Sequence, residues 1–418
     1  MTPFTRHVKL IVGVFFGLAV CANGAQAPQH IDVKQLSTTV EDVVVPLPNE
    51  IFGALNKLGP VDWKEHVRSD KGPNFTERPR IALLLGTVIA DGFIAVQAED
   101  APTVKEIGQR VLTLAKGIGV GNSITPHAKA IIDGADKRKW ENVRQELDRT
   151  QNSVQQAMNE VHDEKLSQLV SLGGWLRGTE VLTSVVNEHF SADGAELLHQ
   201  PDLLSYFQTR LQAMPEFNLP IIRQIQDALV EVKPLIDVGD RRIPPESVKK
   251  VNEIKPGLAM ASSQETSTSM KSCAKLVFQT SALLLVLVAL QPVIFASVDD
   301  AQSFALQAAE PYVKQGFQVR EDYWGGDLGS GEKKAVRQQL FKGNEYWFWL
   351  GTEVDKAKVS VHVYDSDGKL AEEPDGWEKG HFAGAHVIPK ATGSYFIIVS
   401  VEESPEDRTH WALVYGFR

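Results

Sequence analysis

The residues best placed to do chemistry fall in one glycine-containing helical stretch, Leu166–Val181. Gly173, Gly174 and Gly178 sit inside its helical pattern, and each costs about 1 kcal/mol against alanine there. Something must offset that cost. One reading is close helix–helix approach around Trp175. The other is a small-ligand pocket built on Trp175, with Arg177 and Glu180 as its polar groups. Ile81–Val96 has the same character, because Gly86, Ala90 and Gly92 would let a neighbouring backbone approach. Asp91 lies in that run. An enzyme here would need Arg177, Glu180 and Asp91 to converge in a buried pocket with perturbed ionisation.

Other constellations are thinner. Asp365 and Asp367 precede Gly368, and hard cations want clustered carboxylates. The twelfth position from Asp365 is Gly376, however, which offers no carboxylate, so a hairpin turn is the favoured reading of the pair. Gly117–Ser123 is rich in glycine, but a helix precedes it. A dinucleotide fingerprint needs a strand there, so a helix cap and turn is the reading. His66, His162, His189 and His199 lack metal-ligand spacing, and no Gly-x-Ser-x-Gly elbow occurs. His381 and His386 are an odd number apart and would point to opposite faces of one strand. The only cysteines, Cys21 and Cys273, lie in leader-like segments, which removes disulfides and thiolate chemistry from the rest. No cofactor is implied. The net charge of −10 comes without a basic stripe, which argues against nucleic acid as a partner.

These residues must be positioned by two different kinds of element. From Asn49 to about Asp237 apolar residues recur at three-and-four spacing, as in Ile81, Leu84, Leu85 and Val88. This predicts an all-α bundle of eight to ten helices. Asp136–Val161 has few apolar residues and reads as an outer helix. After Ser297, Asp299–Gln315 reads as an amphipathic helix with Phe304, Leu306, Ala309 and Val313 as its apolar contacts. Beyond Val319 the period changes to that of strands. Tyr346–Leu350, Val359–Tyr364, Tyr395–Val401 and Trp411–Phe417 are separated by turn signals such as Asp367-Gly368. This pattern predicts an all-β, jelly-roll-like sandwich. Trp347, Trp349, Trp377 and Trp411 would either cover the 299–315 helix or form a sugar-stacking face, and the packing role is favoured.

Gly343-Asn-Glu-Tyr-Trp-Phe-Trp-Leu350, Val361-His-Val-Tyr-Asp-Ser-Asp-Gly368 and Thr392-Gly-Ser-Tyr-Phe-Ile-Ile-Val399 resemble the bacterial pre-peptidase C-terminal domain over about residues 337–418. The resemblance implies a β-sandwich of the kind appended to secreted enzymes and surface proteins, binding carbohydrate, protein or occasionally calcium. No peptidase-like sequence stands upstream, and residues 28–269 resemble no named family.

Two leader-like segments set the organisation. Arg6, His7 and Lys9 precede an apolar run ending in small residues. Met270, Lys271 and Lys275 precede a second one in mid-chain. The layout is therefore a signal peptide at 1–27, an extended arm at 28–48, a helical domain at 49–258, a polar linker at 259–269, a second leader-like segment at 270–297 and a sandwich at 298–418. Cleavage of the first leader near Ala25 or Ala27 exports the chain beyond it. The lysines ahead of the second segment, with Asp299 and Asp300 behind it, demand a cytoplasmic N-terminal side. One single-span polypeptide cannot satisfy both demands. The leading expectation is an exported, non-catalytic fusion of two secreted precursors, in the periplasm or outside a bacterium, whose sandwich binds protein or carbohydrate. A catalytic site near Arg177 and Glu180 is one alternative. A membrane-anchored envelope protein held through residues 276–296 is the other. Membrane contact is confined to the leader segments.

Overall fold

A computed structural model describes residues 27–32, 43–68, 75–214, 219–239, 241–254 and 296–418. The first leader up to residue 26, the linker 259–269 and the second leader up to residue 295 lie outside the described residues.

The first part is helical, as its periodicity predicts. Its helices are α1 Pro48–Leu58, α2 Arg78–Gln97, α3 Ala101–Ile118, α4 Gly121–Asp136, α5 Trp140–Glu160, α6 Glu164–Glu188, α7 Ala192–Glu196, α8 Pro201–Gln212, α9 Pro220–Ile236 and α10 Pro245–Ile254. A 3-10 turn, Trp63–His66, follows α1. Proline opens α1, α8 and α9 at a position where its missing N–H costs nothing. Gly119 caps α3 in the left-handed region with φ 95°, so Gly117–Ser123 is a cap and turn. α2 is apolar enough to span a membrane, but 89% of that apolar window is buried inside the fold, as in the core helix of a globular domain.

The glycines of α2 and α6 serve close helix packing. A Cβ on Gly86 would overlap the Val170 carbonyl oxygen, and one on Gly173 would overlap the Leu83 carbonyl oxygen. The two backbones therefore touch, and that contact offsets the helix-propensity cost. Gly178 is different, because its nearest neighbour would be Pro48 at an ordinary 3.6 Å.

The second part begins with α11, Ala296–Val313, and continues as eight strands. These are β1 Gln318–Leu328, β2 Lys333–Leu340, β3 Tyr346–Thr352, β4 Lys358–Tyr364, β5 Trp377–Lys379, β6 Phe382–Val387, β7 Gly393–Glu403 and β8 Thr409–Phe417. They form two antiparallel sheets, ordered β1-β8-β3-β6-β5 and β2-β7-β4. Between the sheets lie Tyr346, Phe348 and Leu350 from β3, Ile397 and Val399 from β7, and Trp411, Leu413 and Tyr415 from β8. Alternate residues of β3 and β8 face the other way, onto α11. There Trp347, Trp349 and Val414 meet Ala301, Ala305 and Ala309, the small-residue face of the helix. Gly351 permits this approach, since its Cβ would stand 2.5 Å from the Ala305 nitrogen.

Three expectations need correction. Val313 is 47% exposed and does not pack α11; the helix seats Ala301, Ala305 and Ala309 against the sheet, with Leu306 and Tyr312 beside them. Trp411 does not join Trp347, Trp349 and Trp377 under α11; its place on β8 turns it between the sheets. α5 is an outer helix only in part. Asp148 on its polar side faces Arg320 of β1, while Glu141, Asn142, Arg149 and Gln156 stay exposed.

The two parts exchange core residues. Phe341, at the end of β2, is buried in the core of the helical part. Val44 packs against the core between the sheets, and Ile31 packs on the outer face of β2-β7-β4. The Ile31 N–H donates to the Gly368 oxygen at 2.8 Å, and the Leu370 N–H donates to the Gln29 oxygen at 3.1 Å. The described pieces of the 28–48 arm are thus pinned to the sandwich.

Gly173→Ala should destabilise the protein by about 3 kcal/mol, the upper range for overpacking a tight core. Gly178→Ala should be neutral or stabilising by up to about 1 kcal/mol from helix propensity. Denaturant unfolding of the two variants checks the pair, and equal effects would contradict the backbone contact.

Candidate functional site

The site is built where the two parts meet. β1 pairs regularly with β8 except between Val319 and Tyr323, where the register shifts. Such a bulge re-aims side chains. Arg320 thereby enters the junction, with no exposed surface. Facing it is Glu50, also fully buried, at the third position of α1. Glu50 Oε1 accepts the Leu47 N–H at 3.1 Å, so it also satisfies a free donor at its own helix start.

The partners of Arg320 come from both parts. Its Nη1 lies 3.2 Å from Glu50 Oε1 and donates to the Val45 oxygen at 3.4 Å and the Tyr415 hydroxyl at 3.2 Å. Nη2 pairs with Asp322, and Nε lies 3.8 Å from Asp148 Oδ1 on α5. The Tyr415 hydroxyl donates to Glu50 Oε1 at 2.9 Å and accepts from Gln338 Nε2 at 3.2 Å. Asn344 Nδ2 donates to the Glu50 carbonyl oxygen at 2.8 Å. One guanidinium thus faces three carboxyl groups.

That imbalance shows in the ionisation. Burial, with Asp322, Glu50 and Glu321 nearby, outweighs the attraction of Arg320 and raises Asp148 from 3.8 to about 7. Burial likewise raises Glu50, opposed chiefly by Arg320. Asp148 keeps 15% of its side-chain surface, along a crevice of about 250 Å³ between α5, α11 and β1. Glu50 Oε2 and Arg320 Nε have no hydrogen-bond partner among the described residues.

A larger cleft of about 460 Å³ opens beside the cluster. α5 supplies Gln151, Gln155 and Asn159, one helical row at four-residue spacing. α6 supplies Glu164, Ser167, Gln168 and Ser171, another such row. Tyr206 and Arg210 on α8 complete the helical wall. The opposite wall is Tyr323, Trp324, Lys334 and Trp411 from the sandwich. Among the described residues, the amides of Gln151, Gln155, Asn159 and Gln168 and the hydroxyls of Ser167 and Ser171 take no hydrogen bond. The buried indole N–H groups of Trp324 and Trp411 also lack an acceptor. The cleft can therefore offer amides and hydroxyls to a ligand, while both indoles are packed between the sheets. Among the described residues its lining contains neither histidine nor cysteine.

The residues singled out from the sequence lie elsewhere. Arg177, Glu180 and Asp91 do converge. Arg177 Nε donates to Asp91 Oδ1 at 2.6 Å, Nη2 donates to the His66 oxygen at 2.7 Å, and Nη1 lies 3.3 Å from Glu180, which also pairs with Arg68. Every nitrogen of the guanidinium is engaged, and none of these residues lines the crevice or the cleft described above. The group ties α2, α6 and the 3-10 turn together. Trp175 stands apart, donating to Gln200 Oε1 at 2.8 Å and packing on Phe207. Asp365 Oδ1 accepts the N–H groups of Asp367 at 3.0 Å and Lys369 at 2.9 Å, which makes a turn, while Asp367 is exposed. His386 stacks on Trp347 between Asp375 and Glu345, away from His381.

Sequence reasoning missed Glu50, Asp148, Arg320 and Tyr415. One signal was available: Arg320, Trp324 and Leu328 share the buried side of β1, so an arginine occupies a core position in an alternating strand. No protein-family model matches the chain, and no match to a curated protein was found.

Stability should depend on pH through this cluster. Asp148 holds a proton in the folded state up to about pH 7, whereas its ordinary value is 3.8. The stabilisation is complete below 3.8 and is lost as pH rises through 7. The melting temperature should therefore fall as pH rises from 3.8 to about 7 and level off above that, and Asp148→Asn should flatten that slope. A slope unchanged in the variant would contradict the assignment.

Proposed function

We propose that the chain is an exported, non-catalytic binding protein, formed from two exported precursors, whose ligand occupies the cleft between the helical part and the sandwich. Export rests on the two leader-like segments and their charge order. Binding rests on one observation: six uncommitted amide and hydroxyl side chains face two indole-bearing strands across the cleft. Amides and hydroxyls both donate and accept, so the matching ligand class is a polyhydroxylated one, a short saccharide. The strand order pairs β1 with β8, β2 with β7 and β3 with β6, as in a jelly roll, an architecture that includes lectin domains. The resemblance to pre-peptidase C-terminal domains supports the same reading, though fold alone assigns no function. Arg177 is committed to Asp91, Glu180 and the His66 carbonyl, which favours the non-catalytic reading over a site there.

Calorimetric titration of the whole chain with a panel of short saccharides tests the reading. Saturable binding is expected. The double substitution Gln151→Ala, Gln155→Ala should weaken it at least tenfold, since two lost hydrogen bonds are worth about 1 kcal/mol each. Flat titrations across the panel, or a variant that binds unchanged, would contradict it.

A further inference from the structure

The junction has the character of an interface between two chains made for each other. First, the core exchange runs both ways. Phe341 sits in the helical core, while Val44 and Ile31 sit against the two faces of β2-β7-β4. Independent domains joined by a tether keep their cores to themselves, and obligate partners share one. Second, the charges are complementary across the boundary. Arg320 and Glu50 have no exposed surface; Glu50 depends on the other part for its counter-charge, and Arg320 takes Glu50 and Asp148 from the other part beside its own Asp322. Removing Arg320 would leave Glu50 as a buried charge uncompensated.

Third, the rim repeats the arrangement at separate places. Lys57 Nζ donates to the oxygens of Gly343 and Arg418, both at 2.8 Å. Lys342 Nζ lies 2.9 Å from Asp193 and 3.4 Å from Glu196, and Glu196 also accepts the Thr392 N–H at 3.0 Å. Ser394 donates to Asp202 at 2.6 Å. The contacts therefore come from α1, α7 and α8, at widely spaced points. None of these partners lies in residues 255–295, through which the chain is continuous.

We infer that residues 27–254 and 296–418 are cognate partners in a non-covalent one-to-one complex, which persists when the covalent connection between them is cut. A tether raises the effective concentration of one part near the other. The interlocked cores and the buried charge pair supply affinity that does not need it. The inference concerns the junction alone and is independent of the ligand in the cleft.

The test starts from the full chain, folded and purified, with a site-specific protease sequence placed within residues 259–269. After cutting, gel filtration is run at micromolar concentration and again after 100-fold dilution. Both fragments should co-elute at the volume of the uncut protein and separate only in denaturant. Separate elution, or precipitation of one fragment from the other, would overturn the inference. Arg320→Leu in the cut protein should weaken association at least 100-fold. Lys342→Glu, a rim change that leaves both cores intact, should weaken it measurably and less. Circular dichroism of the uncut variants shows whether they fold. Saccharide titration can fail while co-elution succeeds, so the two proposals are separable.

Discussion

The whole arrangement depends on burying one guanidinium. Arg320 cannot leave water without counter-charges and acceptors, and no element of the sandwich alone supplies enough of them. Glu50 comes from the start of α1, Asp148 from α5, and the Val45 oxygen from the arm. Tyr415 links the arginine to Glu50 from the next strand. The bulge in β1, the polar side of α5 and the capping role of Glu50 all serve to satisfy this one group. Asp148 carries the residual cost as a carboxyl held up to about 7.

The site inherits its shape from that constraint. Because α5 must present Asp148 to Arg320, its neighbouring row of Gln151, Gln155 and Asn159 turns toward the cleft. α6 runs alongside with its own polar row, locked to α2 by the glycine contact. The sandwich brings Trp324, two strand positions beyond Asp322, to the opposite wall. A ligand in this cleft would touch both parts and favour the joined state, since any molecule that binds only the assembled form stabilises it.

Much of the architecture was legible in the sequence. The helical period from Asn49 to about Asp237, the strands beyond about Val319, the cap-and-turn at Gly117–Ser123 and the helix–helix role of Gly86 and Gly173 are local signals, and the structure agrees with each. The illegible part is long-range. Asp148 and Gln151 read as solvated because a polar helical face looks the same whether water or another polar surface covers it. Arg177 and Glu180 attracted notice as charges among glycines. Only coordinates reveal that Asp91, Arg68 and the His66 carbonyl already satisfy them. Trp411 differed from Trp349 by the parity of its position on a strand, which period alone does not tie to a particular face.

The central claim is that a buried ion pair across the junction holds the two parts in one body. A double-mutant cycle on Glu50→Leu and Arg320→Leu, read by denaturant unfolding of the whole chain, tests it most directly. Arg320→Leu should cost about 3–5 kcal/mol, because it strands Glu50; Glu50→Leu should cost less, because Asp322 and Asp148 still pair Arg320, and the double variant should lose less than the sum of the two. Additive losses with no recovery would contradict the claim and return the two parts to being neighbours on a string.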